Sequence, residues 1–193
     1  PIVFNVRFGF IDMPVTVPCG RCVGCRLEKS RQWAVRMMHE ASLYEDNCFI
    51  TLTFKDAYLP KDGHLNLEIY QKFMKRLRKK CQGTTPVYNE KKGVDEYPIR
   101  FFHCGEYGKK NKRPHYHACL FNYDFPDKYH WSTHNGFKYY RSETLEQLWP
   151  YGHVLIGNLT FESAAYTARY VTKKINGDDA ELHYCDQELL YNT

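Results

Sequence analysis

The sequence predicts an α+β domain built on a central, mostly antiparallel sheet with helices packed on its faces. Strand-like runs and helical stripes are intermixed along the chain, the pattern expected of that class. Near the middle, 99–107 and 114–121 are two β-rich runs joined by the basic loop 108–113, so they read as a hairpin. The 193 residues, 43% of them hydrophobic, make a single globular domain spanning 1–193.

The elements follow in order. Residues 1–18 carry apolar stretches broken by Pro14 and Pro18 and read as one or two short strands or an arm. With the cysteines that follow, 1–30 forms an N-terminal arm of the domain. From Arg26 to about Asp46, Leu27, Trp33, Val35, Met37, Met38 and Leu43 recur at helical spacing. Residues 48–55 (CFITLTFK) alternate and are rich in β-formers, hence a strand. Asp62-Gly63 marks a turn. Residues 67–81 set Ile69, Phe73, Met74 and Leu77 on one stripe with basic residues opposite, a second helix. The polar stretch 83–97 reads as a surface loop. After the hairpin come a short helix within 142–149 (SETLEQLW), a strand at 152–160 (GHVLIGNLT) and a last helix from Glu162 to about Ile175. No internal repeat or low-complexity tract is present.

Composition narrows the function classes. Lys and Arg outnumber Asp and Glu by 27 to 22, and the excess is concentrated in 72–80 (KFMKRLRKK) and 109–113 (KKNKR). Such clusters suit phosphate-backbone contact. Aromatic residues reach 16%, with 16 Tyr and 12 Phe, which suits stacking on unpaired bases. No apolar run approaches the roughly 18 residues needed to span a bilayer, and no signal peptide is legible, so a soluble cytoplasmic protein is expected. The eight cysteines do not resemble the framework of a small secreted domain.

The most informative stretch is Arg113-Pro114-His115-Tyr116-His117. On a strand alternate side chains share a face, so His115 and His117 offer two ring nitrogens to one divalent cation. Two histidines are seldom enough. Antiparallel pairing across the hairpin brings Glu106 beside them, and a two-His, one-carboxylate set suits Mg or Mn with positions left for phosphate and water. Downstream, Tyr166, Tyr170, Lys173 and Lys174 fall along one face of the last helix. A phenol ionises near pH 10 and needs neighbouring positive charge to act as a nucleophile, which the metal and the two lysines would supply. Together these residues suggest a nuclease that attacks DNA with a tyrosine.

This set resembles the His–hydrophobic–His (HUH) endonuclease superfamily, and within it the replication initiators of microviruses of gokushovirus type. Supporting segments are Cys19-Gly-Arg-Cys22-Val-Gly-Cys25-Arg26, Trp33-Ala34-Val35-Arg36, Ile50-Thr51-Leu52-Thr53-Phe54, Cys104-Gly105-Glu106-Tyr107-Gly108 and Arg113 to His117. The resemblance runs from about residue 18 to about residue 175 and implies an HUH/RRM-like nuclease fold. It implies that His115 and His117 bind the metal and that Tyr166 and Tyr170 act in turn as nucleophiles, with Lys173 as accessory cation. It also places Thr51 and Thr53 on a strand shaping the DNA-side surface. The implied activity is rolling-circle nicking and rejoining through a 5′-phosphotyrosine link. The implied partners are a single-stranded DNA origin and the helicase and polymerase of a bacterial host, in whose cytoplasm it would act. Lys109, Lys110, Lys112 and Arg113 in the hairpin loop, with Arg169 on the last helix, are candidate DNA contacts. The order of cutting stays open, with a slight preference for Tyr170, which the lysines follow closely.

Cys19, Cys22 and Cys25 form a second candidate metal group. Zinc is a fitting ion, although a structural site usually takes four ligands, and an iron–sulfur cluster or a set of reduced thiols are alternatives. Two further functions compete with the nickase: a non-catalytic single-stranded nucleic-acid-binding module, and a zinc hydrolase using activated water.

Overall fold

A computed structural model describes residues 7–8, 15, 17–60, 63–80, 87–89, 94–96, 99–108 and 111–172. Helix α1 (Val23–Ala41) leads into strand β1 (Asn47–Thr53) and a 3-10 turn at Asp56–Tyr58; helix α2 (Leu67–Lys80) follows. Strands β2 (Val87–Asn89) and β3 (Val94–Glu96) precede the central hairpin, β4 (Arg100–Tyr107) and β5 (Pro114–Phe121). A second hairpin, β6 (Tyr129–His134) and β7 (Phe137–Arg141), leads to α3 (Glu143–Leu148), β8 (Val154–Asn158) and α4 (Phe161–Thr172).

Six strands form one sheet in the order β4-β5-β1-β8-β7-β6. Every neighbouring pair is antiparallel. The expected α+β architecture is thus present, with helices on both faces of the sheet.

The alternation of β1 and β5 creates two cores. Cys48, Ile50 and Leu52 of β1, with Tyr116, Ala118 and Leu120 of β5, face α2 and α3, where Tyr70, Phe73, Leu77, Leu145 and Leu148 meet them. Cys119 and Phe121 point the opposite way, onto Ala34, Met37 and Ala41 of α1 and Ala164 and Ala168 of α4. Each large apolar side chain so buried contributes about 1.5–3 kcal/mol. The second core uses small residues, which lets α4 lie close to the sheet. Ser30 Oγ ties the two helices by donating to the Ala165 carbonyl at 3.3 Å.

Local chemistry sets the boundaries. Helix α1 begins three residues earlier than the sequence predicts because Cys22 caps it, its sulfur accepting from the Cys25 amide. It ends at Ala41 instead of continuing to 46, since the Asn47 side chain donates to the carbonyls of Ala41 and Tyr44, both at 3.0 Å. Helix α4 is opened by a reciprocal cap. The Thr160 amide donates to Ser163 Oγ at 2.9 Å and the Ser163 amide to Thr160 Oγ1 at 3.3 Å. Gly152 lets the chain entering β8 press against β1: a Cβ there would sit 2.0 Å from the Thr53 carbonyl oxygen.

Two sequence expectations need correction. The polar segment 83–97 is not loop throughout, because β2 and β3 pair within it, Val87 opposite Glu96. Val87, Tyr88 and Val94 are β-formers whose signal the surrounding charges mask. The basic cluster of α2 lies on the face opposite the histidines, and much of it is engaged within the fold. Arg76 donates to the Leu148 carbonyl, Arg78 to the Ile99 carbonyl, Lys80 to Gln147, and Lys72 pairs with Glu68. The N-terminal arm falls largely outside the described residues.

His103 on β4 is buried on the α2 side, 3% exposed, and stacks on Tyr70 with ring centroids 3.9 Å apart. Burial pushes its pKa down to about 4. The unfolded chain, with a histidine pKa near 6.5, therefore binds the extra proton first, so stability is present above about pH 6.5 and is lost as pH falls toward 4. The loss is roughly 3 kcal/mol from this group. Denaturant unfolding of His103→Phe is expected to show a correspondingly flatter stability profile between pH 6.5 and 4; an unchanged slope would refute this.

Candidate active site

Register brings the polar residues together. In the β4–β5 ladder Glu106 stands opposite His115 and Cys104 opposite His117. In the β1–β5 ladder Thr51 stands opposite His117 and Thr53 opposite His115. Glu106, His115 and His117 thus share the α4 side of the sheet, with ligand atoms all within 4.8 Å of one another. Glu106 and His117 are each 6% exposed.

The second ring nitrogen of each histidine is held. His115 Nδ1 lies 3.1 Å from the Arg113 carbonyl oxygen, an acceptor only, so Nδ1 carries the proton and Nε2 presents its lone pair. His117 Nδ1 lies 3.0 Å from Thr51 Oγ1, and its ring stacks on Phe49, centroids 5.6 Å apart. With the proton on Nδ1, His117 Nε2 also faces the cluster. His115 Nε2 is 2.5 Å and His117 Nε2 3.4 Å from Glu106 Oε1. Two lone pairs cannot rest against a carboxylate at such distances unless a proton or a cation lies between them.

Two buried polar atoms here, Glu106 Oε2 and His117 Nε2, have no hydrogen-bond partner among the described residues. Such atoms are costly unless something coordinates them. Two imidazole nitrogens and a carboxylate, held by a surrounding shell, fit a divalent cation.

Helix α4 adds the tyrosines. The Tyr166 hydroxyl donates to Glu106 Oε1 at 3.0 Å, and its ring meets that of His117 edge-on at 5.0 Å. Tyr170, one turn on, packs against Tyr166 with centroids 4.9 Å apart. Burial opposes the charge on Glu106, but its contacts with His115 and His117 outweigh this and hold the carboxyl well below the usual range. Burial, the Tyr170 hydroxyl and the Glu106 charge push Tyr166 far above its ordinary pKa. Burial likewise raises Tyr170. The phenols are therefore protonated here and need added positive charge to ionise.

The other expected site residues are placed as follows. Thr51 is engaged with His117, and Thr53 Oγ1 donates to the His153 carbonyl at 3.0 Å. Arg113 pairs with Asp56 and donates to the Phe54 carbonyl at 2.7 Å, which ties the hairpin loop to the end of β1. Lys112 and Arg169 are exposed. Lys109, Lys110, Lys173 and Lys174 lie outside the described residues. Cys19, Cys22 and Cys25 converge as a separate group at the start of α1. The Cys22 amide, before other neighbours, brings the Cys19 thiol down to about 6. Sequence reasoning did not reveal the orienting partners of the histidines: the Arg113 carbonyl, the Phe49 ring, and Thr51 in that role.

The fold and site define a replication-type protein with a tyrosine-bearing helix over a His-Glu cluster, and comparison with known proteins agrees. The profile of the replication-associated protein ORF2 family matches residues 47–175, and the chain belongs to that family. It is 38% identical over 169 residues to replication-associated protein VP4 of Bdellovibrio phage phiMH2K, covering 86% of this chain and 51% of that protein. With replication-associated protein ORF2 of Spiroplasma virus 4 it shares 40% over 170 residues, 85% of this chain and 50% of the relative. Replication-associated protein ORF4 of Chlamydia phage 1 is 32% identical over 163 residues, 82% and 38% of the respective chains. The chain thus spans about half, or less, of the length of these relatives. No solved structure matches it. Among the described residues no helix is long and apolar enough to cross a membrane.

Removing the Thr51 hydroxyl frees His117 to take the other tautomer. For Thr51→Val, divalent-cation affinity is expected to fall about 10–100-fold, while Thr51→Ser retains it. Calorimetric titration with Mn(II) checks this, and equal affinity for Thr51→Val and the native chain would rule the orienting role out.

Proposed function

We propose that this chain is a DNA nicking and joining enzyme that initiates rolling-circle replication of a single-stranded phage genome. The observation that carries the reading is the Tyr166 hydroxyl, 3.0 Å from the carboxylate that also meets both histidines. A nucleophile and a metal-ligand set share one pocket, with a second tyrosine directly behind the first.

In this reading the Tyr166 oxygen attacks a phosphodiester at the origin. An oxygen–phosphorus bond forms to the 5′ side, the bond to the 3′ oxygen breaks, and the 3′ hydroxyl is free to prime synthesis. The phosphotyrosine conserves the ester for later rejoining, when Tyr170 makes the second transfer. Glu106 orients the Tyr166 hydroxyl and is too weak a base to take its proton outright. A divalent cation, Mg or Mn, held by Glu106, His115 and His117, would supply the positive charge that ionises the phenol and neutralises the phosphate. Tyr166 makes the first cut, since its hydroxyl is the one seen donating to the ligand carboxylate. The exposed Lys112 and Arg169 suit the DNA backbone. Host helicase and polymerase would act on the nicked product in the bacterial cytoplasm.

The test incubates single-stranded origin DNA with Mn(II) or Mg(II) and resolves the products on a denaturing gel. The native chain is expected to give a metal-dependent, slow-migrating adduct. His117→Ala and Tyr166→Phe lose it, and Tyr170→Phe forms it but does not rejoin. Cleavage that survives the double Phe variant would assign metal-activated water. Tight binding with neither adduct nor cleavage would assign a binding module.

A further inference from the structure

The three cysteines at the start of α1 take no part in the site above, and their geometry is that of a metal knuckle. We infer that Cys19, Cys22 and Cys25 bind one zinc ion, which fixes the start of α1. A tetrahedral ion with metal–sulfur bonds of about 2.3 Å holds its sulfurs about 3.8 Å apart. Cys19 Sγ and Cys25 Sγ stand 3.7 Å apart, and all three sulfurs lie within 4.8 Å of one another. A four-iron cube would spread them further, because each cysteine then binds a different iron.

The backbone is shaped to the same end. Gly20, at φ +74°, turns the chain in the left-handed region so that Cys22 comes back beside Cys19. The Cys22 amide donates to Cys19 Sγ at 3.3 Å and the Cys25 amide to Cys22 Sγ at 3.4 Å. These are bonds that favour thiolates over thiols. Packing does not account for the trio either. Cys48, Cys104 and Cys119 are buried, as free cysteine usually is, whereas Cys19 and Cys22 are exposed and Cys25 is only partly covered.

Binding would release the thiol protons to solvent and leave one tetrahedral position for water or a side chain outside the trio. Its effect on the fold is local to the helix pair. Cys22 caps α1 and Cys25 lies in its first turn, while Ser30 and Ala34 further along the same helix pack on α4, which carries Tyr166 and Tyr170. The ion is therefore structural, clamping the helix that backs the tyrosines.

The experiment measures zinc by mass spectrometry in the purified full chain, then repeats it after cobalt exchange. About one zinc per chain is expected in the native protein and in the His115→Ala/His117→Ala variant, and none in Cys19→Ser/Cys22→Ser/Cys25→Ser. Cobalt-loaded native protein should show sulfur-to-cobalt charge-transfer absorption, weakened stepwise in the single Ser variants, which guards against a triple variant that fails to fold. Zinc content or cobalt absorption unchanged by the Ser substitutions would overturn the site. So would a native chain that carries a disulfide within the trio and no metal. The double His arm keeps this result separate from that of the proposed nicking site.

Discussion

The structure depends on one buried carboxylate. Glu106 sits among two imidazoles and a phenol where an unpaired charge would be strongly disfavoured, and each neighbour comes from a different constraint. His115 and His117 reach it through the β4–β5 register, and Tyr166 through the packing of α4 on the sheet. A one-residue slip of that register would send Glu106 to the other core and part it from the histidines.

β5 is the strand on which both cores converge. Its odd positions His115, His117 and Cys119 face α4, and its even positions Tyr116, Ala118 and Leu120 fill the α2 core. Tyr116, between the histidines, points away from the site. Its hydroxyl donates to the Asn66 carbonyl at 2.7 Å and accepts from the Asn66 amide at 3.0 Å. Asn66 in turn accepts from the Glu68 amide at the first turn of α2. A bulky aromatic residue between two ligands thus anchors the strand from behind. The alanines of α1 and α4 do the complementary work, bringing the tyrosine helix near enough for a hydroxyl to reach a carboxylate on β4.

Much of this was legible in the chain. The long elements announced themselves by period, and Glu106 beside His115 followed from pairing two adjacent strands. The β6–β7 hairpin went unread because Tyr129, Trp131 and Phe137 are exposed, leaving no alternation to see. Its cue was Asn135-Gly136, both with positive φ, the dipeptide suited to a tight hairpin turn. The early start of α1 was hidden because cysteine is not a usual capping residue. Thr51 was placed on the right strand, but its bond to His117 spans 66 residues and depends on a register no local pattern encodes. The preference for Tyr170 rested on the nearby lysines, whereas the folded chain puts the Tyr166 hydroxyl on Glu106.

The central claim is that Glu106, His115 and His117 form one cation site beneath Tyr166. Its most direct test is a crystal grown with Mn(II) and measured at the manganese absorption edge. The account predicts a single anomalous peak within bonding distance of Glu106, His115 Nε2 and His117 Nε2, absent in crystals of Glu106→Gln. Saturating Mn(II) with no peak among these three residues, or a peak that persists unchanged in Glu106→Gln, would contradict it.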